Sequence, residues 1–220
     1  MVCIKKIHSL LYCLLFSSVM KVAQFWKVSF IIGSHATFFS LTSCLVPLSG
    51  AFGKIQGSLA VGFFSMAVGI MLGGFNPFLH LVYHVPGICA SLYLASEQWA
   101  IRLLLPALCM ALFIAHPVGS GAAVYSFFWL IPVALYFIQK KPFFWHALGS
   151  TFTAHAVGSV IWIYAAPMSS VFWLSLIPVV IIERTIFAVG MTLAYHAIKS
   201  LARLQAPSGH AALPSEHVAE

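Results

Sequence analysis

Residues 143–164, FFWHALGSTFTAHAVGSVIWIY, restrict the fold more than any other stretch. They are apolar enough to cross a bilayer, yet small and polar residues recur along their whole length. On a helix turning about 100° per residue, Trp145, Phe152, Ala156 and Ile163 share one narrow apolar stripe. His146, Ser150, Thr153, Val157 and Tyr164 take a second face, and Thr151, His155, Gly158 and Trp162 a third. Hydroxyls and imidazoles need partners that lipid does not offer, and small residues let neighbouring helices approach closely. This helix is therefore expected inside a bundle, not at its rim.

The rest of the chain points the same way. With 61% hydrophobic residues, 7% charged and a mean hydropathy of +1.00, the 220 residues exclude a soluble domain and a disordered chain. Long unbroken apolar runs exclude a β-barrel, whose strands alternate. The expected class is all-α: a polytopic transmembrane helix bundle of about six spans, possibly with one extra re-entrant or interfacial segment. The net charge of +7 does not indicate nucleic acid, because Lys and Arg stand in short clusters beside apolar runs, as in cytoplasmic loops. Five scattered cysteines without a CxxC pair read as buried thiols. Neither a Walker lysine nor a GxGxxG run is present, so no nucleotide cofactor is expected, and energised work would draw on a partner or an ion gradient.

Residues 1–27 carry Lys5, Lys6, Lys21 and Lys27 around a short apolar run and read as a basic interfacial segment. Residues 28–202 form the bundle, and 203–220 a polar, disordered tail. Within the bundle, 28–46 is the expected first span, 48–58 a Gly/Ser loop and 59–75 the second span. Residues 78–95 and 99–117 follow, of which one does not fully cross. Then come 122–138, the helix at 143–164, and a last run from 171 to 200 split at Pro178. Placing Lys140, Lys141, Lys199 and Arg203 in the cytoplasm leaves Lys54 and Arg102 on the outer side. The basic pattern suits a bacterial inner membrane.

On this layout His116, Ser120, His155, Trp162, Glu183 and Arg184 share one depth on three sequential helices, around a cavity open to the outside. Glu183 is the most informative residue, as the only acid within the apolar body of the chain. A charge there costs about 2.5–3.5 kcal/mol on insertion scales, so it should face protein, water or ligand. Arg184 points about 100° away. Tyr125, Trp129 and Trp162 are candidates for stacking on a flat solute. His80 and His84 have metal-ligand spacing but no accompanying carboxylate or cysteine, so no metal is expected. Ser120 with His155 raises a second reading, an intramembrane serine hydrolase similar to the rhomboid type. A third is a structural membrane subunit.

Taken together, the chain resembles a substrate-binding (S) component of energy-coupling-factor vitamin transporters, loosely the biotin-uptake type. The likeness rests on Pro47 and a loop with Gln56, a glycine-rich second span, the run His116-Pro117-Val118-Gly119-Ser120-Gly121-Ala122, and a last span that carries Glu183 after Pro178. The resemblance implies capture of a vitamin-like small molecule from outside by the last three helices. It also implies docking to an energising membrane subunit with ATPases through small-residue faces such as Ala67, Gly69, Gly73 and Gly74.

Overall fold

The computed structural model describes residues 27–30, 38–73 and 75–205, with 16, 18–19 and 22–23 ahead of them. The basic lead-in lies outside these residues apart from those few positions, and so does the tail from 206.

Residues 28–46, expected as the first span, are not one helix. Strand β1 (Lys27–Phe30) pairs antiparallel with β2 (Phe38–Ser40), matching Ser29 to Phe39 and Phe30 to Phe38. Phe, Val and Ser dominate these strands, and Phe and Val favour extended chain over helix. The connection at 31–37 lies outside the described residues. A single helical turn, α1 (Thr42–Leu45), precedes Pro47.

The first long helix begins at Leu48, and Phe16 and Leu45 ahead of it already pack on the core. Helix α2 (Leu48–Gly73) absorbs both the expected loop at 48–58 and most of the span expected after it. The Gly and Ser residues there serve helix contact instead of turns. Gly50 lies against the Ser91 carbonyl of α3 (Pro77–Ala95), where any Cβ would overlap backbone. The buried Ser91 hydroxyl lies 2.6 Å from Ser49 Oγ and donates to Ser58 Oγ at 2.9 Å. Small residues and paired hydroxyls thus let the two helices approach closely. Lys54, at φ 53° and ψ −158°, kinks α2.

Both marginal segments are helical. After α3, a π-helical stretch (Ala100–Leu104) runs into α4 (Leu105–Ala115). The turn α5 (Pro117–Ser120) leads to α6 (Ala123–Ser126), which continues through a 3₁₀ turn (Phe127–Trp129) into α7 (Leu130–Tyr136). Then come α8 (Phe143–Ala165), α9 (Ser170–Ser175) and α10 (Ile177–Gln205). The last apolar run breaks at Leu176, and Pro178 falls in the first turn of α10, where its missing N–H costs nothing. Helix α10 continues through Arg203 to Gln205, so 203–205, expected as the first residues of the tail, are helical. Two helices, over Leu48–Met71 and Ile177–Leu204, are long and apolar enough to cross a membrane.

Helix α8 is central, touching α3, α4, α7 and α10, and every residue from 147 to 153 is buried. Its small residues are used for close approach: the Tyr93 hydroxyl occupies the space where Gly149 would carry a Cβ. Ser150 donates to the Ala90 carbonyl at 2.7 Å.

Ring contacts fix which helix termini share an end. Tyr195 stacks on Phe143 at 3.8 Å and on Phe52 at 5.3 Å between ring centroids. The Lys141 ammonium donates to the carbonyls of Leu135 at 2.6 Å and Ile138 at 3.0 Å. Burial, and then the nearby Arg102 charge, hold that ammonium below its usual range. Lys54, Arg102, Lys140, Lys141, Lys199 and Arg203 thus gather at one end, together with Glu97. At the other end Phe78 meets Trp162 edge-on at 5.6 Å, and Tyr164 donates to the Leu112 carbonyl at 2.9 Å. The connections there, 74–76, 116–122 and 166–169, contain no Lys, Arg, Asp or Glu. Lys54 and Arg102 were expected opposite Lys140. Because α3 and the segment from Ala100 through α4 both run from end to end, Lys54 and Arg102 fall at the same end as Lys140.

Candidate functional site

Tyr125 is the hub of a buried cluster built by α4, α6, α8 and α9. Its hydroxyl lies 2.8 Å from His155 Nε2 and 3.4 Å from Ser159 Oγ. His155 and Ser159 stand one turn apart on α8, so a single helix face grips the phenol. Phe113 of α4 stacks on Tyr125 at 5.6 Å, while Trp129 and Trp173 each meet Phe113 edge-on at 5.2 Å. Trp173 also meets Tyr125 edge-on at 5.1 Å. Mixed edge and face contacts suit the ring quadrupoles. Trp129 is 1% exposed and Trp173 2%, yet neither indole N–H finds an acceptor among the described residues.

Helix α10 brings the charges. Glu183 and Arg184 are 6% and 5% exposed, and Arg184 Nη2 donates to Glu183 Oε2 at 3.4 Å. The guanidinium also lies 4.8 Å over the Phe187 ring. Thr151 of α8 reaches the Arg184 carbonyl at 3.4 Å, and the Arg184 charge lies within Coulombic reach of Tyr125 and His155. The ion pair therefore stands beside the Tyr125–His155 bond, in the interior of the bundle. Neighbouring helix positions diverge by about 100°, so the two side chains meet only by curling toward each other.

Of the expected site residues, the fold brings Tyr125, His155, Glu183 and Arg184 into this layer, and Trp129 joins through the aromatic cluster. Trp162, His116 and Ser120 lie closer to the uncharged end. His155 precedes Trp162 by two turns of α8, about 10 Å, so the single depth expected for these residues becomes two layers. Trp162 packs on Phe78. His116 caps α5, its Nδ1 accepting the Val118 N–H at 3.3 Å, and its ring meets Tyr164 edge-on at 5.0 Å. Ser120 is exposed and donates to its own turn, to the Pro117 carbonyl at 2.8 Å, while His155 faces Tyr125. The serine and histidine of the hydrolase reading do not meet.

A hollow of ≈ 250 Å³ opens at the uncharged end, lined by His116, Val118, Ile163, Tyr164 and residues 165–168. Its wall residue Ile163 belongs to the same buried cluster as Phe113, Tyr125, Trp129 and Trp173. His80 and His84 stack on each other at 5.8 Å, and no group of three metal-binding side chains occurs among the described residues. Phe113 and Trp173 were missed from sequence, since an aromatic in an apolar run carries no mark of its neighbours. The spacing of Ser159 one turn from His155 was the available signal for the hydroxyl.

No protein-family model matches the chain, and no curated protein or solved structure compared with it matches either.

Proposed function

We propose that this chain is a multi-pass protein of a bacterial inner membrane that binds a small, vitamin-like solute for uptake, as the S components it resembles do. The observation that carries the reading is the buried Glu183–Arg184 pair beside the Tyr125–His155 bond. Taking two ions out of water is costly, and ionisable side chains buried in an apolar bundle are by default a functional-site hypothesis.

The distribution of charge supports the membrane placement. All the helix-flanking Lys and Arg side chains among the described residues fall at one end, which the positive-inside rule assigns to the cytoplasm. The hollow then opens outward. Glu183 supplies acceptors, Arg184 donors, and Tyr125, Trp129 and His155 flat surfaces and polar tips for a ring-bearing solute. The chain carries no nucleotide-binding motif, so energy comes from a membrane partner with its own ATPases. Mass spectrometry of the detergent-purified chain tests the reading. A small molecule should co-purify with the wild type and be lost from Glu183→Gln. Its retention by that variant, or the absence of any solute from the wild type after growth in rich medium, overturns the reading.

A further inference from the structure

Two histidines of α3 converge on one point, away from the ion pair. His80 and His84 stand one turn apart in the first half of the helix, and their rings stack at 5.8 Å with an interplanar angle of 18°. Facing them on α2 is Gly69, which has no side chain. The point its Cβ would occupy lies 3.6 Å from His80 Nδ1 and 3.5 Å from His84 Nε2. The missing side chain thus leaves a notch between α2 and α3 with one nitrogen of each imidazole beside it. Gly69, His80 and His84 are all partly exposed, so the notch is open to water. It lies at the uncharged end, where Phe78, two residues before His80, meets Trp162. Phe75 stacks on the His80 ring at 6.0 Å.

Cβ atoms one turn apart on a helix stand about 5–6 Å from each other. That is close enough for two imidazoles to grip one ion, as the paired histidines of an H-E-x-x-H helix grip zinc. We propose that His80 and His84 bind one divalent cation of the imidazole-preferring class (Zn²⁺, Ni²⁺ or Cu²⁺) in the notch at Gly69, with water in its remaining positions. The spacing of the two residues offered a pair without a third ligand; the notch that gathers their nitrogens is what the fold adds. Binding places the proton of His80 on Nε2 and that of His84 on Nδ1, leaving the two nitrogens beside the notch with lone pairs. Rotation of the two side chains then closes them to about 2.0–2.1 Å from the ion. Mg²⁺ and Ca²⁺ seek carboxylate oxygens instead. The two acids among the described residues, Glu97 and Glu183, lie at the charged end and in the middle of the bundle. The site stands apart from the uptake reading and does not depend on it.

The test uses the full chain without a histidine tag, in detergent micelles, with its histidine ring nitrogens labelled for NMR. The His80 and His84 signals are assigned through His80→Asn and His84→Asn. Zn²⁺ should shift both rings together and saturably, and Mg²⁺ should move neither. Cu²⁺, the tighter ion in the first-row order, should broaden the same two signals at lower concentration. Because the second nitrogen binds within the same molecule, removing either histidine should weaken the response of the remaining ring by about tenfold or more. Gly69→Leu keeps both imidazoles but fills the notch, and should weaken Zn²⁺ by a similar factor with the helical circular dichroism unchanged. The proposal fails if neither ring responds to Zn²⁺, or if each ring keeps its affinity when the other is removed. It fails equally if Mg²⁺ acts as Zn²⁺ does, or if folded Gly69→Leu binds as the wild type does. Should Gly69→Leu not fold, the two histidine variants decide the matter by themselves. Metal binding at these rings and Glu183-dependent solute retention are read separately, so either can fail alone.

Discussion

Two arginines are buried in this molecule, and they are held in different ways. Arg102 is 3% exposed, lies 4.8 Å over the Tyr93 ring, and donates to the carbonyls of Ser96 at 3.0 Å and Tyr93 at 3.2 Å. Those carbonyls close the end of α3, so the guanidinium acts as a helix cap at the charged end. Its carboxylate partner Glu97, at 3.2 Å, is 73% exposed and keeps its water. Arg184 also lies 4.8 Å over a ring, that of Phe187, but its carboxylate is buried with it in the middle of the bundle. The first arrangement closes a helix and leaves its acid hydrated. The second desolvates both ions in one place, with the Arg184 charge in electrostatic reach of the Tyr125–His155 contact. The difference teaches that burial of an arginine does not by itself mark function; the state of its counter-ion does.

Four single substitutions and one double variant sharpen or break this contrast, taken from the largest expected effect to the smallest. Glu183→Ala strands a buried guanidinium and should cost about 3–5 kcal/mol in reversible unfolding in detergent. The double variant Glu183→Leu with Arg184→Met should recover most of that stability while failing to retain solute. If it stays as unstable as the single variant, the pair is structural and the contrast collapses. Arg102→Met removes two charge-assisted bonds to carbonyls and should lose about 3 kcal/mol, with solute retention in the surviving folded fraction unchanged. Tyr125→Phe leaves the His155 ring nitrogen without its partner and should cost about 1–2 kcal/mol, read by the same denaturation curve. Glu97→Gln weakens one solvent-exposed ion pair and should stay within about 1 kcal/mol of wild type. A Glu97→Gln effect as large as that of Glu183→Ala would erase the distinction between the two sites.

Much of the core was legible in the chain. The mixed faces of residues 143–164 required a helix surrounded by others, and α8 is that helix. Pro178 marked the division of the last apolar run, which falls close by at Leu176. Of the clustered residues, His155, Glu183 and Arg184 were singled out because polar groups in apolar runs need protein partners, and Tyr125 as a ring able to stack on a flat solute. The start of the bundle was not legible. Gly50, Ser49 and Ser58 read as a turn, since the residues that open a loop also let two helices touch, and only the presence of Ser91 opposite them decides which. A second misreading, that one of 78–95 and 99–117 does not fully cross, set Lys54 and Arg102 opposite Lys140, whereas both segments run from end to end.

By itself the sequence determined the apolar, helical class of this chain and which polar side chains would have to be buried, because composition and periodicity are local properties. Tertiary structure alone decided that the basic residues share an end, that His155 meets Tyr125 and not Ser120, and that the indole donors of Trp129 and Trp173 are buried without an acceptor among the described residues. Each of those depends on which helix lies against which, a long-range outcome of close packing that no single stretch encodes.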